Sequence, residues 1–176
     1  MEYIMDKGYL HVYTGDGKGK TTAAIGLSIR AAGAGKRVFF GQFVKGSEYN
    51  EIKALQRFQD LIVVRQYGRG CFLHRSPERS DVEAGQKGLL DIGAILTSGA
   101  YDIVILDEAC IAIHYGLFST EQLLDILQNR APSCEVVVTG RYAPEMLIAS
   151  ADLVTEMRQV RHYFTRGVKA RDGIER

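Results

Sequence analysis

Tyr9-Leu-His-Val-Tyr-Thr-Gly-Asp-Gly-Lys-Gly-Lys-Thr-Thr22 is the stretch on which the fold turns. A short apolar run, Tyr9–Tyr13, leads into the glycine-rich segment Thr14–Gly19, and Lys20-Thr21-Thr22 opens a small-residue segment. Strand, glycine-rich turn and helix start, in that order, make a phosphate cradle. Glycines let backbone N–H groups converge on an anion, and the helix N-terminus adds the positive end of its dipole. Of the pattern G-x-x-x-x-G-K-[ST], Gly19, Lys20 and Thr21 match, whereas the position five before Gly19 is Thr14. Lys20 is expected on the surface, reaching phosphate oxygens, with the Thr21 hydroxyl ligating Mg²⁺. Gly15, Asp16, Gly17, Lys18, Gly19 and Thr22 complete the expected cradle.

Downstream the chain alternates helix-like and strand-like segments. Lys20–Gly33 reads as a helix, with Ile25, Leu27, Ile29 and several alanines for packing. Strand Arg37–Val44, helix Glu48–Phe58 and strand Leu61–Tyr67 follow. After an irregular stretch come helix Asp81–Gly99, strand Tyr101–Asp107, helix Ser119–Asn129 and strand Glu135–Thr139. A short helix Pro144–Ser150 and a last strand Asp152–Thr155 close the series, and an irregular, basic tail runs from Gln159. This alternation predicts an α/β fold whose mostly parallel sheet is flanked by helices, with Tyr101–Asp107 central because it is the most apolar strand. No linker, repeat or low-complexity tract divides residues 1–176, so one domain is expected.

Composition narrows the function classes. A formal net charge of +1 gives no overall field for nucleic acid or a membrane surface. Cys71, Cys110 and Cys134 are odd in number and lack CxxC spacing, so they read as thiols in a reducing compartment. The polar Met1–Lys7 does not read as a signal peptide, and no apolar run reaches membrane-spanning length, so a cytoplasmic location is expected.

Asp107-Glu108 ends the apolar strand, where a carboxylate would face a Mg²⁺ held by the loop threonine. A Glu in that place is also suited to activate water, which would mean hydrolysis. Thr139-Gly140-Arg141 follows another strand at the sheet end where ligands collect, and Arg141 suits either a polyphosphate or an ordinary salt bridge. Arg30 on the first helix either turns toward phosphates or faces solvent. The segment Gly68–Ser80 mixes Cys71, Phe72, Leu73 and His74 with Arg69, Arg75 and Arg79. It reads equally as a lid over a flat substrate, a nucleic-acid contact or a solvated loop. The tail from Arg158 reads as a solvated terminal segment.

The variant loop TGDGKGKTTAA, with Arg30-Ala31, Gly35-Lys36-Arg37-Val38, Gln42-Phe43-Val44-Lys45-Gly46, Leu106-Asp107-Glu108 and Val138-Thr139-Gly140-Arg141, resembles the phosphate-loop ATP:corrinoid adenosyltransferases. The similarity continues through Ala151–Met157, Arg161-His162, Gly167-Val168-Lys169-Ala170 and Gly173-Ile174-Glu175. In that family the loop reads TG-x-GKGKTTAA, so Thr14 is the family's own departure. The resemblance implies a RecA-like phosphate-loop fold. It implies a reaction in which the Co(I) of a reduced corrinoid attacks C5′ of Mg·ATP, releasing triphosphate. Lys20, Arg141 and Glu108 would be the catalytic residues; Thr21 and Glu108, with Asp107, would hold the metal; Arg30 would contact phosphate. The family's triphosphate lies in reverse sense to that of ordinary phosphate-loop enzymes. Enterobacterial members carry Phe and Trp in the corrinoid-contacting loop, and this chain has no Trp, which leaves Phe72 as the candidate. A homodimer served by a flavoprotein reductase, without nucleic acid or membrane partners, is the further implication. The residues alone also admit an ATPase, a small-molecule kinase or an ATP-regulated nucleic-acid-binding module.

Overall fold

The structure, a computed structural model, describes residues 7–47, 49–69 and 76–175. Six strands form one sheet: β1 (Leu10–Thr14), β2 (Val38–Phe43), β3 (Ile62–Tyr67), β4 (Ile103–Asp107), β5 (Glu135–Thr139) and β6 (Leu153–Glu156). Every pairing is parallel and the spatial order is β3-β2-β4-β5-β1-β6. Helices α1 (Lys20–Gly33), α2 (Asn50–Leu55), α3 (Arg79–Thr97), α4 (Ala109–His114), α5 (Thr120–Gln128) and α6 (Glu145–Ser150) connect them. Among the described residues, no helix is long and apolar enough to cross a membrane.

Alternation along the strands splits the core in two. Val12, Phe39, Phe43, Val104, Leu106, Val136 and Val138 face α3, α4, α5 and α6. Val38, Phe40, Ile62, Ile103, Ile105 and Val137 face α1 and α2. Strands buried on both faces read as continuous apolar runs, which is why β2, β4 and β5 stand out in the sequence. The helix after β1 therefore lies on one face and the helix after β5 on the other, although β1 and β5 are neighbours. A crevice opens at their carboxyl ends for that reason.

The buried stripe of α1 is not its large apolar residues. Ala24, Ser28, Ala31 and Ala32 are buried, while Ile29 is exposed. Spacing of four, seven and eight residues puts these small side chains on one face, so the helix packs close to the sheet. Ser28 Oγ satisfies itself on the Ala24 carbonyl at 2.9 Å.

Several bounds shift by one to three residues, the expected helix Glu48–Phe58 among them, of which Asn50–Leu55 is α-helical. Two further helices differ for an identifiable reason. Helix α3 starts at Arg79 rather than Asp81, because Glu78 is its N-cap and forms a reciprocal capping box with Asp81. Helix α4 had no sequence signal. Ala109, Cys110, Ile111 and Ala112 are all buried, so no amphipathic period is present. Its N-cap, Glu108, makes no side-chain cap bond.

Candidate active site

The phosphate loop joins β1 to α1. Thr14 remains a strand residue: its carbonyl accepts from Met157 N at 2.8 Å, and its hydroxyl accepts from Ala143 N at 3.4 Å. The sharp turn begins one residue later, at Gly15, with φ of 95°. A Cβ on Gly15 or Gly17 would lie 2.6 Å from the Met157 carbonyl oxygen, so the β6 exit strand itself demands these glycines. Gly17 N donates to that oxygen at 2.6 Å, which commits one loop N–H to the protein. Gly19 caps α1 with φ of 115° and no side chain, leaving the first-turn N–H groups of Lys20, Thr21 and Thr22 without intrahelical acceptors.

Lys20 is largely buried, not standing on the surface as its sequence position suggests. Its Nζ donates to Gly15 O at 2.6 Å and Gly17 O at 2.7 Å, so the loop curls around its own ammonium. Burial, and next the nearby Arg141 guanidinium, lower its pKa from the ordinary lysine value.

Asp107, at the end of β4, is fully buried. Its Oδ1 accepts from Thr21 Oγ1 at 2.9 Å and Thr139 Oγ1 at 2.7 Å, and its Oδ2 accepts from Gln42 Nε2 at 2.9 Å. Gln42 Oε1 in turn accepts from Gln66 Nε2 at 2.8 Å. The buried charge is thus met from β2, β5 and α1 together.

Glu108 turns the other way. Its φ of 59° lies in the left-handed region, and its N–H donates to Thr139 Oγ1 at 3.1 Å. That backbone reversal sends two consecutive acids to different places: Asp107 inward, Glu108 to the cleft. Lys45 Nζ stands 3.8 Å from its Oε1. Burial and then Asp107 hold the Glu108 carboxyl above the usual carboxylate range. Burial works against the Lys45 ammonium, but Asp107, Glu108 and Glu51 outweigh it and hold its pKa above the ordinary value.

Gly17, Lys18, Gly19, Lys20, Thr21 and Thr22 line a cleft of about 500 Å³. Its other wall is Glu108, Ile111, Tyr115, Arg141 and Tyr142. Gly15 and Asp16 are not among its lining residues; Gly15 shapes the loop and Asp16 is exposed. Arg30 sits in the last turn of α1, exposed, ten residues and about 15 Å of helix from Lys20. The structure does not bring it to the cleft. Phe72 lies outside the described residues, as do Cys71, Leu73, His74 and Arg75. Cys110 and Cys134 are buried free thiols, pushed up to about 12 and about 11 mainly by burial.

The tail docks on the loop and is more than a solvated terminus. Lys18 Nζ donates to Tyr163 Oη at 2.9 Å, to the Ile174 carbonyl at 3.3 Å and to Glu175 Oε1 at 2.8 Å. Arg171 and Tyr163 also donate to Glu175. Arg171, then Lys18 and Tyr163, hold this carboxyl far below the usual range.

Residue-type reasoning gave no role to Gln42, Gln66 or Lys45. A signal existed for the first: Gln42 interrupts the apolar run of β2, and a buried polar side chain needs a partner. Gln66 and Lys45 gave none, because both read as ordinary exposed residues until β3 and the turn after β2 are placed.

Comparison with known proteins places the chain in a family. The family described as ATP:corrinoid adenosyltransferase BtuR/CobO/CobP matches residues 6–176. A corrinoid adenosyltransferase of Pseudomonas aeruginosa is 34% identical over 171 residues, covering 97% of this chain and 84% of that protein. One from Escherichia coli is 34% identical, covering 97% of this chain and 86% of the relative. One from Salmonella typhimurium is 35% identical with the same coverages. Among solved structures, the flagellar accessory protein FlaH of Methanocaldococcus jannaschii superposes with a TM-score of 0.58 at 14% identity, covering 85% of this chain and 71% of that one, a likeness of fold alone. On the family match and these identities, the chain belongs to the ATP:corrinoid adenosyltransferase family.

Proposed function

We propose that this chain transfers the 5′-deoxyadenosyl group of ATP to the Co(I) of a reduced corrinoid, releasing triphosphate, within a single phosphate-loop domain. The observation that carries this is the convergence of Lys20, Thr21, Glu108 and Arg141 on one cleft at the carboxyl end of the sheet. Co(I) is itself a strong nucleophile, so the reaction asks the protein for position and charge rather than for a base. As the C5′–O bond breaks, its electron pair leaves with the triphosphate and the cobalt pair forms the Co–C bond. Lys20, the open N–H groups of α1 and Arg141 would oppose the charge of that leaving group. The loop carbonyls that Lys20 now holds fix the ammonium in place before the anion arrives.

The residues present fit a magnesium ion. Among the described residues no group of three or more His, Cys, Asp or Glu side chains could hold a metal. A hydroxyl with one or two carboxylates, completed by phosphate oxygens and water, is the donor set Mg²⁺ accepts. Thr21 and Glu108 would hold it, while Asp107 would fix the Thr21 hydroxyl from behind. When bound, the ion would neutralise triphosphate charge.

The test is product analysis with ATP and chemically reduced cobalamin. A light-sensitive adenosylated corrinoid and inorganic triphosphate are expected in equal amounts. ADP with inorganic phosphate, and no adenosylated product, would overturn the reading in favour of hydrolysis with Glu108 as base.

A further inference from the structure

Tyr142 lies on the cleft wall, and the proposed chemistry leaves it unused. It follows Arg141 with φ of 60°, a left-handed conformation that is unfavourable for a bulky side chain. Such outliers cluster where a ligand is gripped. Its ring is not a loose surface group. The His114 imidazole, at the end of α4, stacks on it with centroids 4.2 Å apart and planes at 28°. His114 in turn meets Tyr115 edge-to-face at 5.3 Å, and Tyr115 lines the same cleft. Yet Tyr142 remains 56% exposed. A tyrosine fixed from one side by a stacked imidazole, and bordering a cleft, offers its remaining face to a flat ring.

Which ring is decided by the shape of the site. The cleft runs from Gly17–Thr22 to Ile111, Tyr115 and Tyr142, with Glu108 and Arg141 also on that wall. Its volume of about 500 Å³ suits a nucleotide; a corrin macrocycle with its side chains is far larger. With the triphosphate on the loop and α1, the base of the same molecule has the aromatic wall to rest on. We propose that Tyr142, braced by His114, receives the adenine base of ATP by stacking. This rests on the adenosyl-transfer reading and adds the place of the base to it.

Calorimetry of the whole protein with two probes, Mg·ATP and Mg·tripolyphosphate, tests it. Tyr142→Asn is the main variant, because Asn tolerates the left-handed backbone. Its ATP affinity should fall by about 5- to 100-fold, the range for losing one base–aromatic stack. Its tripolyphosphate affinity should not change. Tyr142→Phe keeps the ring and should bind both as wild type does. Equal losses for both probes would mean that Tyr142 acts only by placing Arg141, and would overturn the adenine site. So would unchanged ATP affinity in Tyr142→Asn. If wild type binds neither probe, the adenosyl-transfer reading itself falls and takes the adenine site with it.

Discussion

Thr21 and Asp107, 86 residues apart, are joined by a 2.9 Å hydrogen bond that ties the first turn of α1 to the end of β4. The same carboxylate oxygen accepts from Thr139 at the end of β5. Three consecutive features of the cleft are therefore set by one buried charge: the loop threonine, the acid pair and the Thr139-Gly140-Arg141 turn. Asp107 acts as the joint of the site, which leaves Glu108 as the acid that lines the cleft.

Glu108→Gln should stabilise the empty protein while removing transfer. The Glu108 pKa is raised in the fold, first by burial and then by Asp107. The folded state then holds the proton more tightly than the unfolded one. Its contribution is fully present below the unfolded pKa and is lost as pH rises through the folded pKa. At neutral pH without metal, the variant should melt higher than wild type. Near pH 4 the gain should shrink, since wild type is then largely protonated. Activity should fall by about 100-fold or more. A melting temperature that drops at neutral pH would show that the Lys45 contact outweighs burial.

Lys20→Ala should lose about 100-fold or more in transfer with a melting temperature close to wild type. Of the two carbonyls it releases, that of Gly17 belongs to a residue of the cleft wall, and water can enter the space the side chain leaves. The lysine also sets an alkaline limit. Its pKa is lowered by burial and by Arg141, so ATP affinity should weaken with rising pH before the ordinary lysine range is reached. Stability of the empty protein moves oppositely, rising as Lys20 deprotonates, because the unfolded chain keeps that proton longer. Lys20→Arg does not titrate there and should flatten the alkaline limb of binding. An alkaline limb unchanged in Lys20→Arg would assign it to another group.

The sheet, most helices and the loop were legible because each has a local pattern: apolar runs for β2, β4 and β5, and a glycine-rich turn before Lys20. The acid pair was legible as a pair, but its division of labour was not. Whether Asp107 or Glu108 turns inward depends on the left-handed backbone at Glu108, which no side-chain pattern announces. The tail was misread for a similar reason. Lys18 and Glu175 stand near opposite ends of the chain, each within a motif of its own, and become a cluster with Tyr163 only once β6 delivers the chain beside the loop.

Gly140→Ala should be costly and Gly35→Ala much less so, although both positions have positive φ. At Gly140, with φ of 141°, an added Cβ would sit 2.8 Å from the Cys110 Cβ and 3.1 Å from the Ile111 N. At Gly35, with φ of 74°, it would meet nothing within 4 Å. Denaturant midpoints should show a loss of about 1–3 kcal/mol or more at Gly140, and about 1 kcal/mol at Gly35. Equal losses would mean that α4 yields freely to the intruding methyl group.

Asp107→Asn tests the joint directly. The amide oxygen can still accept from Thr21 and Thr139, but the new NH₂ faces Gln42 Nε2, donor against donor. Turning the Gln42 amide cures that contact and breaks the next, because Gln42 Oε1 accepts from Gln66 Nε2. The variant should lose about 1–3 kcal/mol of stability. Gln42→Glu alone places two carboxylates side by side and should be worse. In the double variant, a Glu at position 42 accepts from both the new amide and Gln66, so the network closes again. The two substitutions should therefore couple favourably, by about 1 kcal/mol or more in a double-mutant cycle. Transfer should stay impaired, since the charge has moved one strand away from Thr21. Additive losses would show that Gln42 does not carry the interaction with Asp107, and restored transfer would show that Thr21 needs an acceptor rather than a charge.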